Sequence, residues 1–235
     1  MDEIVRARVA ATWAFRTRAE IEATARFARM ATELAEVGAT PFVVQGAASA
    51  AADEARHRDL CARLAAKWGE PDALNHVPPL SRIGRSDMDQ RHRLLWEMVA
   101  VCCISETMNT SLMTRCLEVV KDEEIRSTLH ELLKDEVTHA RLGWAHLAAE
   151  RAEGRGQFLR DLLPPMLEAS IEPGFLETKP LTPWTDALYD YGELPWGELV
   201  QIYRDTLNLV VFAGLDSLGV DTSQGRAWLE ERSGA

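Results

Sequence analysis

The sequence lacks the features that mark several large classes of protein. No stretch of its 235 residues approaches the roughly 20 apolar residues that a membrane span needs, so we expect no membrane partner. Its four cysteines form no Cys-x-x-Cys pair, which argues against a zinc ribbon or a rubredoxin-type iron centre. The first residues have neither the basic start nor the apolar core of a secretory signal. Cysteines without a framework spacing suit a reducing compartment, so we expect a cytoplasmic protein.

Positive charge is also scarce. The chain has 26 Lys and Arg against 37 Asp and Glu, a net charge of −11. Because proteins neutralise nucleic-acid phosphates with Lys and Arg, we expect no nucleic-acid partner. The hydrophobic fraction of 46% and the charged fraction of 27% are typical of a globular protein and argue against disorder. The length suits one domain with a sizeable core and room for an appendage.

Four long helices are predicted in the first two thirds of the chain, the first of them from a stretch rich in Ala, Arg, Glu and Leu without proline or glycine. We place these helices at about residues 5–37, 41–68, 86–120 and 122–153. Gly38 suits the end of the first helix, and Thr40 followed by Pro41 suits the start of the second. The proline-rich stretch 69–85 predicts an irregular crossover between the second and third helices.

The chain changes character after the fourth helix. Prolines break residues 157–195 into short pieces, and one further helix is predicted at about 196–218. We therefore divide the chain into a four-helix bundle, residues 1–154, and a helical C-terminal extension, residues 155–235. The extension is expected to pack on the bundle or on a partner subunit, and a homodimer is one such arrangement.

Two Glu-x-x-His tetrads carry the functional signal. They are Glu54-Ala55-Arg56-His57 and Glu136-Val137-Thr138-His139, each within a predicted helix. Residues three apart share a helix face, so each tetrad presents a carboxylate beside an imidazole. Tetrads of this kind also occur by chance on solvated faces. Here both lie within apolar surroundings, where an unpaired charge is costly unless it is paired or binds a metal.

Two glutamates in the other two helices complete the set, Glu20 and Glu106. Glu106 lies about 15 residues before the Lys121 turn and Glu136 about 15 after it, which places them at one level of an antiparallel pair. Glu20 and Glu54 straddle the first turn with a mismatch of less than one helical turn. Glu22 competes with Glu20 but is two residues off its face. The spacing therefore predicts a dinuclear metal site inside a helical bundle.

This arrangement resembles the ferritin-like di-iron carboxylate proteins over residues 5 to about 150. The resemblance implies an all-α fold: a ferritin-like four-helix bundle of two antiparallel hairpins joined by a long crossover. It implies six metal ligands, Glu20, Glu54, His57, Glu106, Glu136 and His139. Because an aspartate precedes each tetrad, the chain looks most like the oxygen-activating branch, in which that Asp accepts a hydrogen bond from a ligating histidine. The residues that match this role are Asp53 and Asp135.

The resemblance also carries a function. It implies a non-haem di-iron oxygenase or oxidase that uses O₂ to oxidise a small organic substrate, with electrons from an unidentified donor. The cofactor is expected to be two iron ions, with manganese or a mixed Mn/Fe pair as alternatives, since carboxylates and imidazoles suit these metals more than copper or zinc. The four predicted helices contain no tyrosine, which disfavours a tyrosyl-radical protein. A ferroxidase that handles iron is the alternative function.

The neighbours of Glu106 suggest a substrate pocket. Thr110 matches a pocket threonine of the resembled monooxygenases, and we assign it a catalytic role. Cys103 and Asn109 would line the same side of Glu106, with Val99 two turns before it. Small residues on an inward helix face also serve simply to let helices approach, so that alternative stays open. His146, two turns after His139, is interpreted as a packing residue.

Overall fold

The computed structural model describes residues 2–78, 83, 87–171, 173–177 and 183–232. Within these residues the protein is all-α, without a β-strand, as predicted. None of the described helices has the length and apolarity needed to cross a membrane. All four cysteines are buried free thiols.

The first two helices form the predicted hairpin. Helix α1 spans Glu3–Glu36 and α2 spans Pro41–Trp68, and the two pack extensively on each other. Gly38 has φ +68°, a left-handed conformation that glycine adopts without strain. The amide of Ala39 donates to the carbonyl of Leu34 at 2.9 Å, which satisfies a carbonyl at the end of α1. Pro41 occupies the first turn of α2, where its missing N–H costs nothing.

The third long helix differs from the prediction in two ways. It begins with α3, Gln90–Met98, where the carboxylate of Asp89 accepts from the amide of His92 at 2.9 Å. The predicted start at Ser86 lies outside the described residues. The helix then passes through a π segment, Val99–Glu106, before it continues as α4, Thr107–Val119. Prediction from apolar periodicity gave one uninterrupted α-helix.

The fourth long helix, α5, spans Glu123–Ala152. The Asp122 carboxylate caps its start by accepting from the amide of Ile125 at 3.0 Å. Gly154, with φ +74°, ends it. Because only residues 120–122 join α4 to α5, the two helices run in opposite directions.

The C-terminal region contains more helix than its prolines suggest. Helix α6 spans Leu159–Ala169 although it includes Pro164 and Pro165, and a 3₁₀ segment spans Asp186–Tyr191. The predicted helix at 196–218 is confirmed as α7, Trp196–Thr206, a π segment, Leu207–Val211, and α8, Phe212–Ser217. Helix α9, Ser223–Glu231, follows. The prediction of a single helix after residue 157 is therefore wrong, because burial of apolar faces outweighs local propensity.

The chain separates into two compact units. The first comprises Met1–Arg82, Met113–Asp135 and Pro183–Leu194. In this unit the amides of Lys121 and Asp122 donate to the carbonyl of Asp190 at 2.8 and 2.9 Å. The side chain of Arg8 lies 3.5 Å from the carboxylate of Glu193, so the segment Pro183–Leu194 is tied to both α1 and the start of α5.

The second unit comprises Ile83–Leu112, Glu136–Thr182 and Pro195–Ala235. Its hydrophobic core is formed by buried residues of α3, the first π segment, α5 and the C-terminal helices. The apolar face of α6 lies in this core through Leu159, Leu163, Met166 and Leu167, all fully buried. The division of the chain at residue 154 into bundle and extension stays a prediction.

Candidate metal centre

Four of the six predicted ligands come together in the structure. The ligand atoms of Glu20, Glu54, His57 and Glu136 all lie within 4.8 Å of one another. These side chains are buried, with residue exposures of 7%, 1%, 0% and 1%. Helix α1 contributes Glu20, α2 contributes Glu54 and His57 from one face, and α5 contributes Glu136. Three carboxylates and an imidazole in one buried group can hold a metal ion.

The two tetrads have the same internal geometry. His57 Nδ1 lies 3.2 Å from Glu54 Oε2, and His139 Nδ1 lies 3.1 Å from Glu136 Oε2. In each tetrad the nitrogen and the oxygen therefore face a common point. Metal binding requires deprotonated ligands and releases protons. A cation between these two atoms would find one nitrogen and one oxygen ligand already side by side.

Asp135 fixes the orientation of one of these histidines. His57 Nε2 lies 3.1 Å from Asp135 Oδ2. When Nε2 donates its proton to this carboxylate, the lone pair of Nδ1 points toward the Glu54 side and can bind a cation. The aspartate that precedes the second tetrad thus serves the histidine of the first. The sequence suggested the role of Asp135 but did not show which histidine it would contact.

Arg56 is a neighbour of the site that sequence reasoning missed. Its guanidinium donates to Asp53 Oδ1 at 2.9 Å and also contacts Asp135 Oδ2 closely. The hydrogen bond with Asp53 and the charge of Asp135 raise the pKa of Arg56. Arg56 therefore stays positively charged and holds the Asp135 carboxylate in place beside His57. Its position three residues after Asp53 on α2 was the available signal.

The two remaining predicted ligands are buried but lie outside the 4.8 Å group. Glu106 and His139 have exposures of 5% and 1%. Gly143 lies so close to Cys102 and Cys103 that an added Cβ would come within 2.5 Å of the Cys102 side chain. Helix α5 runs antiparallel to the preceding helix, so the two helices are in register at Gly143 and Cys103. His139 lies four residues before Gly143, and Glu106 lies three residues after Cys103. These two residues therefore fall at the same level.

The carbonyl groups of both lone glutamates accept hydrogen bonds from threonines. Thr24 Oγ1 donates to the Glu20 carbonyl at 2.7 Å, and Thr110 Oγ1 donates to the Glu106 carbonyl at 2.8 Å. Asn109 Nδ2 donates to Glu106 Oε2 at 3.3 Å, so one oxygen of this carboxylate is oriented from its own helix. The hydroxyl of Thr110 serves the backbone here, and its catalytic role stays a prediction.

Glu22, the competitor of Glu20, faces elsewhere. Its Oε1 lies 2.9 Å from His76 Nε2, and a third of its side chain is exposed. Glu20 is the member of the pair that lies in the buried ligand group. The offset of two positions on the α-helix explains the separation, because residues two apart do not share a face.

The π segment before Glu106 had no signal in the sequence. Residues Val99–Glu106 contain neither proline nor glycine, and Ser105 Oγ donates to the carbonyl of Ala100 at 3.1 Å. Short π segments inside α-helices frequently occur at functional sites. This one ends at a predicted ligand.

His146 lies apart from the ligand group in a charged part of α5. It is buried, and burial lowers its pKa to about 4; the charge of Glu150 acts to raise this pKa, and the charges of Arg91 and Arg155 act to lower it further. His146 Nε2 has no hydrogen-bond partner among the described residues. The imidazole is therefore neutral at neutral pH, as a packing residue would be.

No known protein family, curated protein or solved structure matches this chain. The case for a metal centre therefore depends on the chain's own donor atoms.

Proposed function

We propose that this protein is a di-metal oxidoreductase that activates O₂ to oxidise a small organic substrate. The observation that carries the proposal is the buried group of Glu20, Glu54, His57 and Glu136. We propose two metal ions, held by this group together with Glu106 and His139. The helices that supply the six ligands, α1, α2, α3–α4 and α5, would form a ferritin-like four-helix bundle.

Charge balance supports a pair of divalent ions. At separations of 4.8 Å or less, two ionised carboxylates repel by at least about 3 kcal/mol at an effective dielectric constant of roughly 20. Buried acidic groups in such a cluster must be protonated or bound to cations. Four glutamates carry four negative charges, and two divalent ions supply four positive charges. The proposed set is therefore neutral when loaded.

The donor atoms favour iron or manganese. Carboxylate oxygens and imidazole nitrogens suit Fe(II) and Mn(II), whereas thiolates would favour zinc or iron–sulfur clusters, and the compact group contains no cysteine. When bound, a pair of iron ions supplies two electrons for the reduction of O₂. An electron donor would restore the reduced state.

The chain's own residues prepare the site for this chemistry. Asp135 holds His57 in the tautomer that leaves Nδ1 available, and Arg56 holds Asp135. Asn109 orients the Glu106 carboxylate. Burial of the ligands excludes bulk water, which strengthens their interaction with a cation. The register set by Gly143 supports the inclusion of Glu106 and His139 at one level.

The small organic substrate is proposed to bind beside Glu106, near Asn109 and Thr110. The four buried free thiols suit a reducing compartment, and we propose a cytoplasmic setting. Iron oxidation for storage is the function against which this proposal must be tested. It would require a large hollow assembly, whereas the enzyme is expected to be a monomer or a small oligomer.

The test loads the protein anaerobically with Fe(II), measures bound metal, and then adds O₂. Two ions per chain and O₂ uptake in a small assembly are expected. Glu20→Gln should lower the metal content. Glu33→Gln should not, because Glu33 is a second buried acid of α1 that binds Arg29 at 3.0 Å outside the ligand group. Equal metal content in both variants would refute the site, and a mineral core in a large shell would assign the protein to iron storage.

A further inference from the structure

An open groove runs along the exposed side of α2, and none of the residues of the buried ligand group lines it. It belongs to the first unit and has a volume of about 550 Å³, within the range of small-molecule sites. Residues spaced three or four apart on α2 form its length, and the segment after α2 adds to its wall. The residues that matter here are Arg56, Leu60, Arg63, Ala66, Pro71 and Leu74.

The lining is mostly apolar. Leu60 and Ala66 lie on α2, while Pro71 and Leu74 follow its C-terminal end. Leu74 has a relative exposure of 50%, which is high for a leucine beside a concave surface. A ligand with an apolar portion would gain stability by removing this surface from water.

The charges in the groove are unevenly neutralised. Arg56 is bound to Asp53 and Asp135, and Asp59 is bound to Arg58 at 2.8 Å. Arg63 is exposed and has no hydrogen-bond or ion-pair partner in the part of the chain that the structure describes. The Arg63 guanidinium therefore has no ion-pair partner among the described residues, although Asp59 lines the same groove.

We propose that this groove binds an amphipathic monocarboxylate. A carboxylate can accept two parallel hydrogen bonds from the Arg63 guanidinium, the geometry that arginine favours. The apolar portion of the ligand packs against Leu60, Pro71 and Leu74. Recognition by a single unpaired arginine and an apolar wall selects for one negative charge at one end of an otherwise apolar molecule.

A chain of side-chain hydrogen bonds also links the groove to His57 of the ligand group. Arg56, in the groove wall, binds Asp135, which lies 3.1 Å from His57 Nε2. A carboxylate held by Arg63 lies in the same groove as Arg56 and changes the field at the start of this hydrogen-bonded chain. Occupation of the groove is therefore expected to shift the imidazole ¹⁵N resonances of His57 in metal-free protein, so neither the site nor this readout rests on the proposed function.

The test titrates octanoate into the metal-free protein and measures heat, with octan-1-ol as the uncharged counterpart. We expect one saturable octanoate site and at least ~10-fold weaker binding of the alcohol. Arg63→Gln should weaken octanoate binding by ~10-fold or more and leave the alcohol unaffected. Arg18→Gln is the matched control, because Arg18 is an exposed arginine of α1 without a partner among the described residues.

Three results would overturn the proposal. Equal affinity for octanoate and octan-1-ol would show that the groove only takes up apolar molecules. Unchanged octanoate binding in Arg63→Gln would remove the arginine from the site. Self-association that Leu74→Ser abolishes, without saturable octanoate binding, would assign the groove to a second copy of the chain.

Discussion

Gly143 provides a direct test of how α5 packs near the proposed metal ligands. A Cβ at this position would meet the Cβ of Cys102 at 2.5 Å, the Sγ of Cys103 at 2.9 Å and the Cys103 amide nitrogen at 3.0 Å. Carbon atoms in contact normally lie about 3.5 to 4.0 Å apart. The obstructing atoms include the stem of one side chain and a backbone atom, so rotation of a flexible side chain cannot relieve the overlap. Gly143→Ala therefore forces the two helices apart by roughly 1 Å.

The expected cost follows from two opposing effects. Overpacking of a well-packed core typically costs 1 to 3 kcal/mol, and the backbone contact places Gly143→Ala at about 3 kcal/mol. Alanine favours a helix interior over glycine by about 1 kcal/mol. The net loss of unfolding free energy is about 2 kcal/mol, which corresponds to a fall in Tm of roughly 4 to 8 °C for a chain of this size.

Denaturant and thermal unfolding of Gly143→Ala measure this loss directly. The control is Gly197→Ala in α7, where an added Cβ meets nothing within 4 Å, so its stability should be unchanged or slightly higher. If Gly143→Ala is as stable as the wild type, the close approach at Cys102 does not exist. A displacement of about 1 Å also exceeds the roughly 0.2 Å tolerance of metal–ligand distances, so the variant should bind fewer metal ions.

Further predictions concern the ligands and one buried histidine. His57→Ala and His139→Ala should each lose at least one metal ion, and full retention of both ions in each variant would contradict the ligand assignment. Fe(II) or Mn(II) should raise Tm, since an ion at 100 times its Kd stabilises the folded state by about 2.7 kcal/mol; an unchanged Tm would argue against a buried site. Burial lowers the pKa of His146 to about 4 from 6.5, so between these pH values the unfolded chain binds the extra proton. The unfolding free energy should therefore fall by up to about 3 kcal/mol as pH drops from 6.5 to 4. His146→Phe should lose this dependence, while His130→Phe, at an exposed position, should keep it; equal pH slopes would contradict the reasoning.

The long helices were predictable because local signals and apolar periodicity agree there. Gly38 and Pro41 mark the turn between α1 and α2, and Asp122 marks the start of α5. Each of these residues acts within a few positions of itself, so its effect can be read without knowledge of the tertiary structure.

Helix α6 was not predictable because its stability is not local. Pro164 and Pro165 remove two backbone donors, and helix propensity alone therefore predicts that no helix continues through them. Four fully buried apolar residues hold its face in the core of the second unit. Their contribution depends on neighbours distant in sequence, such as Leu95 and Phe212, which no local pattern contains.

In the candidate site, too, contacts within one helix were predictable and contacts between helices were not. The side-by-side placement of Glu54 and His57 follows from helix periodicity. The contact between His57 and Asp135 joins residues 78 positions apart, and the link from Arg56 to Asp135 spans 79. Spacing within a helix predicts which groups are presented together. It does not predict which partner approaches from another helix.

The π segment shows how one non-local feature changes a conclusion drawn from spacing. A π turn contains one more residue than an α turn, so residues before Val99–Glu106 are turned by roughly 100° relative to an uninterrupted helix. The prediction that Val99 shares the face of Glu106 assumed an uninterrupted α-helix and stays a prediction; the structure shows Val99 buried in the core of the second unit. Asn109 and Thr110 follow Glu106 in regular α-helix and keep the expected relation, since both bond to Glu106. The proposed substrate pocket beside Glu106 therefore draws its support from the α4 side of this residue, where Asn109 and Thr110 lie.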